Sequence, residues 1–133
     1  MKDSDYTALI EYRLEEAIES LEDAELLLTS KRYRSTANRL YYAAFYAVVA
    51  VLLTKRLQYS KHSAVISFFD KEFIKTGILP KTYSRTLHHA FFERQQDDYM
   101  PFIEFDPNEI EQLGKDVRLL VTGISKHIKT NID

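Results

Sequence analysis

Residues 38–53 read NRLYYAAFYAVVAVLL. From Leu40 onward they are 14 consecutive apolar or aromatic residues, with no charge, Gly or Pro. That is short of the ~20 residues a helix needs to span a bilayer. In lipid, the hydroxyls of Tyr41, Tyr42 and Tyr46 would each need a partner. No membrane association is expected from this stretch. A helix apolar on every face is the buried central helix of a bundle. Asn38 and Arg39 bring two polar groups to the edge of that core, so this end is the first place to look for function.

The whole chain agrees with a helical reading. Its 133 residues predict one domain, residues 1–133, with a real core. Only 3 Gly and 3 Pro punctuate it, which favours long helices over many short strands. With no Cys, disulfides, thiolate metal sites and Cys nucleophiles are excluded. The first residues, MKDSDYTALIEYRLEE, lack the apolar core of a signal peptide, so a cytoplasmic protein is expected.

Charge is unevenly spread. Residues 1–30 carry 2 basic and 9 acidic side chains, residues 31–94 carry 12 and 3, and residues 95–133 carry 4 and 8. Either the acidic outer helices cancel the basic middle, or the middle builds a basic surface able to attract phosphate.

The spacing predicts five helices. Ile10, Leu14, Ala17, Leu21, Ala24 and Leu28 form one stripe of a helix from Ser4 or Asp5 to Ser30. The central helix runs from Arg34 to Arg56, with Ser35 or Thr36 as its cap. A short helix spans Ser63 to Thr76, with Ser63 as cap and Val65, Ile66, Phe69 and Phe73 inward; Gly77 and Pro80 end it. A fourth covers Lys81 to Asp98, and Phe102, Ile103 and Phe105 hold the irregular stretch after it. Asp106-Pro107-Asn108-Glu109 is a clear start signal for the last. The fold class is all-α, an up-and-down bundle.

Among motifs, GxGxxG, P-loop, HExxH and GxSxG are all missing. No Glu stands three residues before a His, so a di-metal carboxylate site is not expected, and no cofactor is implied. His89 and Glu93 share a helix face and read as a solvated pair. Asn38, Arg39, His62 and Arg94 to Tyr99 remain. Each has a local structural explanation: Asn38 satisfied by backbone, His62 capping a helix, Arg94 paired with Asp97 or Asp98.

Taken together they resemble a known family. The strings Asn38-Arg39-x-Tyr41-Tyr42-Ala43-x-Phe45, Lys61-His62-Ser63-x-x-Ile66-Ser67-x-Phe69, Phe73-Ile74-Lys75-Thr76-Gly77 and Arg94-Gln95-x-x-Asp98-Tyr99 are similar to the HEPN domain, over residues 8 to 130. The resemblance implies a helical bundle that forms a homodimer. Many members are metal-independent ribonucleases, often toxins encoded beside a nucleotidyltransferase antitoxin. In that pattern an Arg is followed, after four to six residues, by a His, and an earlier polar residue assists. Arg94 matches the Arg and Asn38 the assisting position, but Tyr99 stands where the His would be. A phenol with a pKa of ~10 is a poor general base at neutral pH. The expectation is therefore an RNA- or nucleotide-binding module, catalytically degenerate. Arg94 would hold phosphate, Tyr99 and Tyr42 would stack or hydrogen-bond, and His62 or Arg39 would assist. One alternative is an active endoribonuclease with Tyr99, Asp98 or His62 as base. The other is a non-enzymatic helical dimer.

Overall fold

A computed structural model of the chain describes residues 1–131, the side chains of residues 97 and 98 excepted. Among these residues there are five helices and no strand: α1 (Asp3–Thr29), α2 (Tyr33–Leu53), α3 (His62–Phe69), α4 (Lys81–Tyr99) and α5 (Pro107–Asn131). The expected all-α bundle is what forms. The chain packs α1, α4, α5 and α3 around α2.

The reason lies in the side chains of α2. Ala37, Leu40, Tyr41, Ala43, Ala44, Ala47, Val48, Ala50, Val51, Leu52 and Leu53 are all buried, so every face has a cover. The alanines let the covering helices approach closely, and the apolar stripes of α1 and α5 supply the larger side chains. At 21 residues, α2 is long and apolar enough to cross a membrane on length and composition, yet 72% of its most apolar window is buried in the bundle. The apolar surface that lipid would cover is already covered by protein.

Helix ends depart from the expected ones. The cap of α2 is Arg32 rather than Ser35 or Thr36. Thr36 sits one turn in, its hydroxyl donating to the Arg32 carbonyl at 2.8 Å. Lys31, at φ 57, makes the left-handed turn that reverses the chain after α1. At its other end α2 stops at Leu53, three residues early, because Arg56 turns left-handed at φ 62. Its guanidinium lies over the Tyr6 ring at 4.3 Å and donates to Asp3 Oδ1 at 3.1 Å, which ties this turn to α1.

The third helix is also re-cut. It starts at His62 with Lys61 as cap, not Ser63, and gives way at Asp70–Ile74 to a π-helical segment. There Lys75 N–H donates to the Asp70 carbonyl five residues back, at 2.9 Å. The wider turn keeps Phe69 and Phe73 both buried. Gly77 takes the left-handed conformation expected of it, at φ 76.

Two further expectations need correcting. Phe102 does not anchor the stretch before α5, being 80% exposed. Arg34 does that work from α2, donating to the carbonyls of Pro101 at 2.7 Å and Ile103 at 3.3 Å with its guanidinium over Phe105. Nor are His89 and Glu93 a solvated pair. His89 Nε2 is 3.3 Å from Glu93 Oε1, but Glu93 is buried, and burial raises its pKa against the opposing pull of His89. The start of α5 follows expectation, with Asp106 Oδ1 accepting the Asn108 N–H at 2.9 Å.

Candidate functional site

Asn38, the adjacent pair Tyr41 and Tyr42, and Phe45 follow one another at three- or four-residue steps along α2, so they share a face. The loop after α2 brings the first residue of α3 back onto this face. His62 stacks on Phe45 with ring centroids 4.2 Å apart, and its Nδ1 is hydrogen-bonded to the Tyr41 hydroxyl at 2.8 Å. From α4, Phe91 packs on Tyr41 at 5.6 Å, and one turn later Arg94 lays its guanidinium 5.2 Å from the ring centres of both Tyr41 and Tyr42. Arg39 approaches the Tyr42 ring too, at 5.1 Å, and donates to Asn38 Oδ1 from Nε at 3.2 Å and Nη2 at 3.0 Å.

Two aromatic faces therefore hold the Arg94 guanidinium in place. Among the described side chains no carboxylate pairs with it and no acceptor takes its N–H groups. A guanidinium carries five donors in a fork that matches the oxygens of phosphate. Here the π faces fix the fork, and no described side chain occupies its edge; the expected pairing with Asp97 or Asp98 lies outside the described residues. Arg39 and Arg94 bring two positive charges, which repel one another, to one ring. Arg94, Arg39, Tyr42 and His62 are all only partly buried, so the cluster is open to a ligand.

Burial sets the protonation of the two hydrogen-bonded rings. Removal from water pushes the Tyr41 phenol far above its ordinary range, more than the Arg94 charge pulls it down, so it keeps its proton. Burial also lowers the pKa of His62, and the Arg94 charge adds to that. His62 is a neutral imidazole at pH 7, paired to a phenol that can donate or accept.

The lowered pKa has a sign for stability. Folded His62 binds a proton less tightly than unfolded chain, so its contribution is complete above the ordinary imidazole value of ~6.5 and is lost as pH falls below it. Thermal unfolding measured from about pH 7.5 down to about pH 5 is expected to show the wild type losing stability through that window. His62→Gln is expected to lose less. Parallel curves for the two proteins would remove His62 as the source.

Of the residues marked from sequence, Asn38, Arg39, Tyr42, His62 and Arg94 come together. Tyr99 does not join them. It lies five residues beyond Arg94, which turns it roughly 140° around the helix. There it is 76% exposed and borders an apolar groove with Phe92, Met100 and Ile103. The side chain of Asp98 lies outside the described residues. Tyr41, read from sequence as core alone, is the centre of the cluster. It and Phe45 share the quoted string with Tyr42, and their i, i+1 and i+4 placement was the available signal.

The HEPN domain family model matches residues 10–127. A UPF0332 protein of Thermotoga maritima is 39% identical over 121 residues, covering 91% of this chain and 92% of its own. Two proteins of Methanocaldococcus jannaschii are also similar. The one named "Putative toxin MJ0142" is 41% identical over 123 residues, 92% of this chain and 84% of its own. The one named "Putative toxin MJ0605" is 32% identical over 120 residues, 90% and 89%.

Proposed function

The chain belongs to the HEPN domain family, and from that premise we propose that it is a toxin-like RNA-binding member that holds phosphodiester at Arg94. The observation that carries this reading is the Arg94 guanidinium fixed over Tyr41 and Tyr42, with none of its donors used by a described protein group. Arg94 binds the phosphate oxygens as a fork. Arg39 adds a second positive charge beside the same Tyr42 ring. The "toxin" in the names of two relatives supports the same direction.

A second reading, RNA cleavage, is favoured by one observation. His62 is neutral and its Nδ1 is committed to Tyr41. In the tautomer where Nδ1–H donates to Tyr41, the Nε2 lone pair is free to take the 2′-hydroxyl proton. The 2′-oxygen then attacks phosphorus, the 5′-oxygen leaves with a proton taken from water, and a cyclic phosphate remains, with Arg94 against the developing charge. The histidine missing at residue 99 would be supplied by α3.

Fluorescence anisotropy of a short single-stranded RNA, repeated over a range of salt, tests binding. The logarithm of affinity should fall linearly with the logarithm of salt, by about 0.7 per phosphate contacted. Affinity absent or indifferent to salt would refute the proposal. The same samples in EDTA separate the readings: intact RNA leaves binding alone, and cleavage that disappears in His62→Gln promotes the second.

A further inference from the structure

The first turn of α4 is built against the usual electrostatics of a helix. Acidic residues normally occupy the positive N-terminal end. Here the cap is Pro80, which has no side-chain group to accept the free N–H donors, and the first turn holds no acid. Lys81 is the first residue instead, and Arg85 follows one turn later on the exposed side. Across from them Lys75 closes the π-helical segment.

These three cations, with Ile74 and Ser84, line an open concavity of about 480 Å³. None of them has an ion pair or a ring partner among the described residues. Asp70 borders the site through Ser84 and keeps its negative charge, one against the three cations. Ser84 Oγ donates to Oδ1 at 2.7 Å, and His88 Nε2 bonds Oδ2 at 2.8 Å. Elsewhere the basic middle of the chain does meet acid, as Arg56 meets Asp3. Three cations gathered at a helix N-terminus outnumber the Asp70 carboxylate beside their hollow, and they repel one another until an anion is present. Local conflicts of this kind persist in folded proteins mostly where function needs them.

We propose that Lys75, Lys81 and Arg85 form a second phosphate-binding site, separate from the Arg94 cluster. Arg85 precedes Arg94 by nine residues on α4, roughly 13 Å along the axis and half a turn around it, so one phosphate cannot reach both. Two sources share this chemistry, the backbone of an RNA already held at Arg94 or a free phosphate or nucleotide. The RNA source rests on the function proposed above; the phosphate site does not.

The experiment has two arms, run on wild type and on the double variant Lys81→Gln, Arg85→Gln. These side chains are exposed, so the fold should survive, which a thermal melt checks. In the first arm, inorganic pyrophosphate is titrated while backbone amide NMR signals are followed. Signals of Lys75, Lys81, Thr82 and Ser84 are expected to move in the wild type and to stay still in the variant. In the second, RNA anisotropy is measured against salt. If RNA is the source, the variant binds on the order of tenfold more weakly with a shallower salt slope. Movement in the first arm with unchanged RNA binding assigns the site to free phosphate. If the wild type binds no RNA, the first arm alone decides. Amide signals that ignore pyrophosphate, together with no loss of RNA affinity in the variant, overturn the proposal.

Discussion

Arg94→Ala is expected to weaken RNA binding by about 100-fold, the loss of two charge-assisted hydrogen bonds of ~1.5–3 kcal/mol each, partly replaced by water. The bundle should stay folded. Arg94 is only partly buried, and its contacts are the ring faces of Tyr41 and Tyr42, worth ~0.5–1 kcal/mol. Removing it also relieves the repulsion from Arg39, which shares the Tyr42 ring. Arg94→Lys should fall between the two proteins, since it keeps the charge and loses the fork. A second readout follows from His62. Arg94 is the lesser of two causes lowering its pKa, after burial. In the Ala variant the imidazole should therefore titrate somewhat higher, yet still below its ordinary value, by NMR. Unchanged affinity would remove Arg94 from the site, whatever the histidine does.

Much of this architecture was legible because helices repeat every 3.6 residues and their ends have chemistry. The stripe of α1 and the Asp106-Pro107 start of α5 are local signals. The ends of α2 were not, because Lys31 and Arg56 turn left-handed without being Gly, and what holds Arg56 there is Asp3 and Tyr6 from α1. The site divides in the same way. Asn38, Arg39 and Tyr42 lie within five residues of one helix and could be read as one wall. That His62 would land on Phe45 and Tyr41 could not be read, since it depends on how the loop after α2 folds back. Tyr99 is the opposite case. Its five-residue offset from Arg94 already turned it off the Arg94 face, and helix geometry alone was enough to see that.

The second large effect comes from making the most apolar helix more apolar. Ala47 is fully buried in α2, as are Ala43, Ala44 and Ala50. If α2 were stabilised by hydropathy alone, as a membrane segment is, Ala47→Leu would be neutral or favourable. In a packed bundle the added methylenes have no space, because interiors are filled to near crystal density. Overpacking of this kind costs ~1–3 kcal/mol, sometimes more, a large share of a total stability of ~5–15 kcal/mol. Urea unfolding should show a midpoint well below wild type for Ala47→Leu, and lower again for Ala44→Leu, Ala47→Leu together. Val49→Leu, on a half-buried position of the same helix, adds apolar volume where there is room and should change little. The comparison isolates packing from hydropathy, since all three variants raise the second. Alanine variants as stable as wild type would mean that α2 is not tightly enclosed, and would withdraw the rigid platform on which Tyr41 and Tyr42 hold Arg94.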